Sequence, residues 1–396
     1  MNAELTADVR FIIERIMSRG GSAHVVGGAV RDMLLGREVG DYDLTTSLTP
    51  EEVKATFPEY KILDTGIKHG TVTLVIDGVP YEITTYRTDG DYRDSRHPDS
   101  VSFTASLEED LARRDFTVNA MCIDPVRGLT DIFGGREDLS RGLVRAVGDP
   151  HRRFTEDALR ILRALRFASV LDFEIESDTA RAVHELCHTL VNISAERIYA
   201  EWRKLLCGRG AHRILSEYAD VLQVIIPEIG ELRLPRVEKF ASADMMSRFI
   251  SLFCGGSDAS ARFDAACHAL RTDNSTRTLG KDALLIIANA SLDTVAGMRH
   301  AMARYGEDAV HLAVRAAELI ELVPDGAGAL FDTALALPHK ISDLAVRGND
   351  LGAMGMRGEE IGNALSLLLR ALIDGDVADE REAQLHYARE HFKDEN

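Results

Sequence analysis

The sequence is poor in cysteine, in long apolar runs and in positive charge. Its five cysteines are scattered over 396 residues without any Cys-x-x-Cys pair. This argues against a zinc site or a disulfide framework and favours a reducing, cytoplasmic environment. No apolar run approaches the length of a transmembrane helix, and the acidic residues Glu4 and Asp8 do not fit a signal peptide. We expect a soluble globular protein of several domains, with no membrane and no evident protein partner.

The shortage of positive charge is general but not uniform. A net charge of −18 is unfavourable for a protein that must neutralise the phosphates of a nucleic acid. Between Arg141 and Val170, however, seven arginines stand against three acidic residues. Because local charge matters more than the total, this segment is a candidate contact for a nucleotide or an RNA.

The segment Val25–Leu44 begins with the features of a phosphate site. An apolar run over residues 23–26 predicts a strand, and a Gly-Gly turn and a short helix over about residues 29–35 follow. Glycine lets the backbone approach a ligand, and the free N–H groups at a helix start favour phosphate. Arg31 adds a fork-shaped donor suited to phosphate oxygens. The turn is not a P-loop, because no Gly-Lys-Ser/Thr follows it.

The next predicted strand carries Asp41 and Asp43, two residues apart and therefore on one face. Adjacent carboxylates repel each other unless a cation lies between them, and Mg²⁺ prefers carboxylates together with substrate phosphates. A single Asp-x-Asp is more often a solvated strand end, but directly after a phosphate turn the pair indicates nucleotidyl transfer. Glu82, on a strand predicted over Tyr81–Tyr86, is either a third acid of this site or a solvent-facing glutamate.

Two later segments of this part are polar. Residues 89–107 are charged and interrupted by glycine and proline, which predicts a long, mobile, functional loop. In the segment that follows, Asp115 and Asn119 lie one turn apart if it is helical. A surface salt bridge between neighbouring arginine and aspartate residues is the alternative interpretation there.

A long helix is predicted over Phe154–Ala168, with one apolar face. A polar stripe recurs on it every three residues: Asp157, Arg160, Arg163 and Arg166. Because aspartate only accepts and arginine only donates, Asp157 with Arg160 suits the amino-bearing edges of cytosine and adenine. Guanine and uracil would leave both groups unpaired. The alternative is a surface ion pair with solvated arginines.

Taken together, these motifs resemble the class II tRNA nucleotidyltransferases (CCA-adding enzymes) and the related bacterial poly(A) polymerases, within the polymerase-β-like nucleotidyltransferase superfamily. The resemblance is dense over about residues 20–205, and the remainder matches only by its helical character. The matching segments stand in family order: residues 27–32, 40–43, 69–71, 81–87, 113–120, 131–135, 156–160 and 194–197.

The resemblance implies an α+β protein with a polymerase-β-like nucleotidyltransferase α/β head and an all-helical neck, body and tail. The expected domains are a catalytic head over residues 1–140, a neck for base recognition over 141–205, and a body and a tail that bind tRNA over 206–325 and 326–396. By the same resemblance, the loop over residues 89–107 helps the enzyme change from C to A addition.

The resemblance also assigns roles to individual residues. Asp41 and Asp43 are expected to be catalytic and to bind two Mg²⁺ ions. The nucleotide is expected to contact Gly28 and Arg31 through its triphosphate, Arg114 and Asp115 through its sugar and phosphates, and Asp157 and Arg160 through its base. Arg163 and Arg166 would continue the base pocket.

The implied activity is template-independent addition of CCA to tRNA 3′ ends from CTP and ATP. No His-Asp phosphohydrolase motif occurs, so a second phosphatase activity is not expected. The arginine-rich signature of the poly(A) polymerases is also missing, with residues 66–70 (Gly-Ile-Lys-His-Gly) in its place. The alternatives are a poly(A) polymerase, an enzyme that adds only part of CCA, and an inactive RNA-binding protein on the same fold.

Overall fold

The chain divides into two units, Met1–Ile225 and Ile226–Asn396. The structure, a computed structural model, describes residues 5–89, 101–230 and 234–391. The domain boundaries expected at residues 140, 205 and 325 stay predictions. Residues 206–225, which the resemblance assigns to the body, lie in the first unit.

The first unit contains the strands of the described chain and about half of its helices. In chain order the strands are β1 Ala23–Val26, β2 Asp43–Thr46, β3 Lys61–Leu63, β4 Thr71–Ile76, β5 Val79–Thr85, β6 Arg87–Asp89, β7 Val101–Phe103, β8 Met121–Asp124, β9 Gly128–Asp131, β10 Leu143–Val144 and β11 Glu174–Ile175. The helices are α1 Ala7–Ser18, α2 Gly28–Leu34, α3 Pro50–Thr56, α4 Leu107–Ala112, α5 Gly135–Arg141, α6 Pro150–Glu156, α7 Leu159–Leu171, α8 Ser177–Leu186, α9 Ala195–Leu206, α10 Ala211–Glu217 and α11 Ala219–Ile225.

A seven-stranded mixed sheet forms the centre of this unit, in the order β3-β4-β5-β2-β1-β8-β9. Strand β2 is the middle strand; it runs antiparallel to β1 and parallel to β5. All four residues of β1 are buried, whereas β4 alternates between buried and half-buried residues. The first pattern is typical of a strand covered on both faces, and the second of one with a wetter face. Strand β2, which begins with Asp43, is therefore held by neighbouring strands on both sides.

Local signals fix several elements around this sheet. Thr49 and Glu52 form a reciprocal capping box at the start of α3, with Pro50 in its first turn. The turn between β4 and β5 is made by Asp77 and Gly78, whose φ angles are 48° and 84°. Both angles are in the left-handed region that tight hairpin turns require. Both elements therefore have clear local signals in the sequence.

Three predicted elements differ in the structure. The strand expected to carry both aspartates begins only at Asp43, so Asp41 precedes it. In the loop predicted over residues 89–107, residues 101–103 form β7, which pairs with β6, and residues 90–100 lie outside the described chain. The neck is not purely helical, because the two-residue strands β10 and β11 pair in parallel.

The second unit is helical throughout its described residues. Its helices are α12 Val237–Ser242, α13 Met245–Ser251, α14 Ala259–Ala269, α15 Asn274–Asn289, α16 Val295–Tyr305, α17 Glu307–Leu319, α18 Ala327–Leu335, α19 Gly348–Ala353, α20 Glu359–Asp374 and α21 Arg381–His391. Phe249, Phe253 and Phe263 pack together with ring centroids 5.1–5.7 Å apart. A separate cluster that includes Leu344, Leu351 and Leu368 forms the core near the end of the chain. Within the described residues, no helix combines the length and apolarity that crossing a membrane requires.

Candidate active site

Three carboxylates converge where β2 begins. Asp43 is the first residue of β2 and lies opposite Glu82 in the parallel register with β5. Side chains in register on neighbouring strands point to the same face. Burial by surrounding protein raises the pKa of Asp43, and repulsion from Glu82 and Asp41 raises it further, while Arg114 opposes the rise. The Asp43 carboxylate therefore lies among like charges, which a cation would stabilise.

The donor set suits a hard divalent cation. Carboxylate oxygens are the ligands that Mg²⁺ uses, often only one or two from the protein, with substrate phosphates completing the shell. Among the residues that the structure describes, no three His, Cys, Asp or Glu side chains are close enough together to hold an ion by themselves. The acids around Asp43 thus fit a metal that is completed by substrate rather than one enclosed by protein.

The Gly-Gly turn lies directly beside these acids. Gly27 has a φ of 72°, and a Cβ atom there would be 3.3 Å from Nη1 of Arg114 and 4.0 Å from Oδ2 of Asp43. A Cβ atom on Gly28 would be 3.5 Å from Nη2 of Arg31. Any side chain at this turn would enter the space between the two arginines and the acids. The structure therefore brings Gly28, Arg31, Arg114 and Asp43 close together at this turn.

The two arginines of the turn have different surroundings. Arg31 donates to both carboxylate oxygens of Asp32, at 2.9 and 3.0 Å, and to Oδ1 of Asn119 at 2.7 Å. Arg114 makes only a long contact of 3.7 Å with Asp110, and its buried Nε has no hydrogen-bond partner in the described part of the chain. Burial lowers the pKa of Arg114, against the attraction of Asp110. Arg114 is thus a half-buried cation with unused donor capacity.

Asp115 is a fully engaged carboxylate. It accepts from Nε of Arg163 at 2.8 Å, from the amide of Phe116 at 2.8 Å and from Nδ2 of Asn119 at 3.3 Å. Burial alone would raise its pKa, but Arg163 above all, then Arg160 and Asn119, lower the pKa to about 2. Asn119 lies in a 3-10 turn, Thr117–Asn119, rather than in an α-helix. The predicted proximity of Asp115 and Asn119 is nevertheless present.

The polar stripe predicted on one helix is wrong in its first member. Helix α6 ends at Glu156, and Asp157 is extended, with φ −140° and ψ 104°. The Asp157 carboxylate accepts a hydrogen bond from the amide of Leu159 at 3.1 Å. An aspartate that bonds a nearby backbone N–H in this way favours a break over a continuous helix. Helix α7 then begins at Leu159 and carries Arg160, Arg163 and Arg166 but not Asp157.

Asp157 and Arg160 each have other partners. Asp157 accepts from Nη2 of Arg197 at 3.0 Å. Arg160, only 8% exposed, donates to Glu156 at 2.9 Å and to the carbonyl of Arg113 at 3.0 Å. The alternative of solvated surface arginines therefore does not describe Arg160.

The other two arginines of α7 both contact one glutamate, although Arg163 makes its hydrogen bonds to Asp115. Glu201 of α9, 7% exposed, pairs closely with Arg166 and lies 3.7 Å from Nη1 of Arg163. The Arg166 guanidinium also lies 3.6 Å from the ring centroid of Phe167. Glu201 and Phe167 are not among the site residues predicted from the sequence. A signal for Glu201 exists, since it lies one helical turn after Arg197, but no local pattern indicates its partners.

A buried polar chain lies behind the turn. His24 of β1, 3% exposed, has Nδ1 2.9 Å from the hydroxyl of Tyr86 and Nε2 3.3 Å from Oδ2 of Asp124. Ser22 lies 3.0 Å from the same hydroxyl. Burial lowers the pKa of His24, although Asp124 opposes this. Strand β1 thus contains a histidine that the fold favours in its neutral form.

Two family matches cover most of the first unit. Residues 23–145 match the family described as "Poly A polymerase head domain". Residues 172–232 match the family described as "Probable RNA and SrmB- binding site of polymerase A". The first match contains the whole acid and Gly-Gly site.

Individual relatives match over nearly the full chain. A CCA-adding enzyme from Geobacillus stearothermophilus is 38% identical over 392 residues, which cover 94% of this chain and 93% of the relative. One from Leuconostoc mesenteroides is 34% identical, over 98% and 97% of the two chains. The match to the CCA-adding enzyme of Ligilactobacillus salivarius is 49% identical over 209 residues and spans about half of each protein, 53% and 51%.

Solved structures agree with these relatives. The CCA-adding enzyme of Bacillus stearothermophilus in complex with CTP superposes with a TM-score of 0.75 at 33% identity, over 97% of this chain and 96% of that one. The Thermotoga maritima CCA-adding enzyme complexed with tRNA has a TM-score of 0.72 at 22% identity, which shows the fold alone. The predicted fold class and the resemblance of the motifs are both confirmed. The chain belongs to the class II CCA-adding enzymes, a family of tRNA nucleotidyltransferases.

Proposed function

We propose that this chain adds CCA to tRNA 3′ ends without a template, from CTP and ATP. The observation that carries the proposal is the convergence of Asp43, Glu82 and Arg114 at the Gly27 turn. It provides carboxylates for a metal and a cation for phosphate in one place. The support from relatives is the 33% identical structure described as a complex with CTP.

Asp41 and Asp43 are proposed as the catalytic, metal-binding residues, with Glu82 as a third carboxylate. Two bound Mg²⁺ ions would supply Lewis-acid activation of the RNA 3′-hydroxyl and neutralisation of the departing pyrophosphate. Asp43, at the start of the central strand, is fixed by the ladders on both sides, so its carboxylate keeps its position while nucleotides exchange.

Arg114 and Arg31 are proposed to hold the triphosphate at the turn. Arg114 has donor capacity to offer, and its charge is directed at the space beside Gly27. Arg31 is aligned by Asp32 and Asn119, which reduces the rotamer entropy lost when a phosphate binds. Asp115 is proposed to bind at the sugar side, in the orientation that Arg163 and Asn119 impose.

Base choice is proposed to depend on Asp157 and Arg160, with Arg163 and Arg166 extending the pocket. Asp157 accepts an amino hydrogen, and Arg160 donates to the neighbouring ring acceptor. Both side chains already have protein partners, Arg197 and Glu156. An incoming cytosine or adenine must therefore share or replace those contacts, and a guanine or uracil offers nothing in exchange.

The tRNA is proposed to bind to the body, residues 206–325, and to the tail, residues 326–396. The match of residues 172–232 to an RNA-binding family supports this for the start of the body. Because phosphate contacts release counterions, tRNA affinity should fall steeply with salt. Salt-independent binding in a titration of labelled tRNA would contradict a surface that binds phosphates.

The chain is also proposed to be cytoplasmic. All five cysteines are free, which supports this location.

One assay tests the proposal against its rivals inside the class. Purified protein is given tRNA that ends before CCA, together with each labelled nucleoside triphosphate singly and in combination. We expect two C residues from CTP, one A from ATP afterwards, and no further growth. Long tails from ATP alone identify a poly(A) polymerase, and growth that stops after CC, or that requires a CC end, identifies a partial enzyme.

The rival from a different class is an inactive RNA-binding protein. It predicts tRNA binding without incorporation of any nucleotide, in Mg²⁺ or in Mn²⁺. Measuring binding and incorporation on the same preparation separates this outcome from a merely unfolded sample.

A further inference from the structure

Asp110, near the end of α4, is a fully buried carboxylate to which no role is assigned above. Its exposed fraction is 0%. Oδ2 accepts from the hydroxyl of Thr45 at 2.9 Å. Oδ1 accepts from the amide of Arg87 at 3.3 Å and from Nε and Nη2 of Arg113 at 3.0 and 2.8 Å. Burying a charge is unfavourable unless it is paired and hydrogen-bonded, and Asp110 meets both conditions.

These contacts join three elements around the acids. Thr45 lies on β2, two residues after Asp43, so Asp110 is attached to the central strand itself. Arg87 opens β6. Arg113 and Arg114 follow α4 directly, so the carboxylate is connected to both arginines by a short stretch of chain. Asp110 therefore holds the strand of the acids and the arginine next to them in one arrangement.

Arg114 lies between two anions. Its Nη2 is 3.7 Å from Oδ2 of Asp110, while its Nη1 faces the position of a Gly27 Cβ at 3.3 Å, near Asp43. Arg113 makes the shorter contacts with Asp110, so Arg114 is attracted without being fully satisfied. If Asp110 lost its charge, the attractions left for the guanidinium would be Asp115, which already accepts from Arg163, and Asp43. An arginine drawn onto Asp43 would occupy the oxygens that a metal needs.

We propose that Asp110 is a positioning residue that keeps Arg114 directed at the Gly27 turn and away from Asp43, so that Asp43 stays available to Mg²⁺. The inference rests on the proposed nucleotidyl transfer. Its distinctive consequence is a link between a buried residue and the metal requirement. A residue that merely stabilises the fold would not change the Mg²⁺ concentration that the folded enzyme needs.

The test is Asp110→Asn, which keeps the size and removes the charge. The matched control is Asp138→Asn. Asp138 is 4% exposed and accepts from the hydroxyl of Thr117 at 2.7 Å and from Nε of Arg145 at 3.0 Å, so it has the same kinds of partner away from Arg114. Incorporation of labelled CTP into tRNA is measured across a Mg²⁺ titration, together with thermal unfolding.

For Asp110→Asn we expect the half-activating Mg²⁺ concentration and the KM for CTP each to rise about tenfold, with kcat at saturation changed about twofold or less. For Asp138→Asn we expect a lower melting temperature with an unchanged Mg²⁺ requirement. Equal Mg²⁺ curves for the two variants would overturn the proposal. An inactive wild-type protein would instead refute nucleotidyl transfer itself.

A second variant keeps the test decisive if Asp110→Asn does not fold. Arg113→Gln removes the competing guanidinium and leaves the whole Asp110 charge to Arg114. The half-activating Mg²⁺ concentration should then stay at or below the wild-type value. A rise for Arg113→Gln would contradict the role given to Asp110.

Discussion

Two regions of the first unit are rich in charge: the Gly27 turn with its acids, and the joint between α6 and α7 around Asp157 and Arg160. Their charges are balanced in different ways. At the turn, Asp41, Asp43 and Glu82 repel one another, and Arg114 keeps an unpaired Nε among the described residues. At the joint, each charged group already has an opposite charge beside it, as Arg160 has Glu156 and Arg166 has Glu201.

The difference separates two kinds of binding site. At the turn, the carboxylates lack a cation and Arg114 lacks a bonded anion. A metal bound with a triphosphate would therefore neutralise charges of both signs that are already present. The charges at the joint are already paired without ligand, although Nε of Arg166 and Nη1 of Arg197 lack a hydrogen bond among the described residues. Binding there is therefore largely an exchange of partners, and its net gain is small. Strength of binding and chemistry are expected from the turn, and discrimination between bases from the joint.

The largest effect is expected from removing the acids of the turn. Asp43→Ala or Asp41→Ala should lower single-turnover incorporation of CTP by roughly a thousandfold or more, because charge stabilisation in the transition state is lost. Affinity for tRNA should stay unchanged. Asp64→Ala, an exposed partner of Lys54, is the control and should be fully active. Retained activity in either variant would remove that residue from catalysis.

A backbone substitution at the turn should have the next largest effect. Gly27→Ala introduces a Cβ at a φ of 72° and 3.3 Å from Arg114, so the arginine must move. A displacement of this size is expected to reduce kcat/KM about a hundredfold. Gly78→Ala meets the same backbone penalty, with a φ of 84°, in open space. Both variants should lose about 1–2 kcal/mol of stability, and only Gly27→Ala should lose activity. Equal activities would contradict the close approach at the turn.

The joint should affect selectivity more than rate. Asp157→Ala or Arg160→Ala is expected to reduce discrimination against UTP and GTP about tenfold, since the wrong base no longer leaves a group unpaired. The ratio of kcat/KM values for CTP and UTP gives the result directly. If both variants still reject UTP and GTP as the wild type does, the pairing of base edges with these residues is wrong.

The smallest effect concerns the buried histidine of β1. Burial lowers the folded-state pKa of His24, so the unfolded state binds more protons below its ordinary pKa of about 6.5. Stability should therefore rise with pH through this range and be lost on acidification. His24→Gln should flatten the change in melting temperature between about pH 7.5 and pH 5.5. An unchanged slope would show that the attraction of Asp124 offsets the burial and the repulsion from Arg127.

The same comparison explains what the sequence can predict. The chain around the turn is a run of neighbours, a strand, Gly27, a two-turn helix and an aspartate pair, each with a local signal. Glu82 and Arg114 reach this site from later segments. The capping box of Thr49 with Glu52 and the Asp77-Gly78 hairpin are equally local. Such features depend on backbone preferences of a few residues, so the sequence alone can indicate them.

The joint depends on contacts across the chain. Asp115 meets Arg163 48 residues later, and Asp157 meets Arg197 40 residues later. Helical periodicity over Phe154–Ala168 is unbroken in the sequence, because a polar Asp157 fits a helix surface as well as a break. Only the three-dimensional position of Arg197 and the Leu159 amide favours the break. The partners Glu201 and Asp110 are hidden for the same reason.

The pairing of Asp43 with Glu82 has a consequence for how this protein is produced. The parallel register of β2 with β5 alone decides that Glu82, rather than Tyr81 or Ile83, stands beside Asp43. A slip by one residue would turn the glutamate to the opposite face of the sheet. Such a molecule would keep its helices and most of its strands, and its circular dichroism would look native. Activity per folded molecule, rather than the yield of folded protein, is therefore the measurement that reports correct assembly of the sheet.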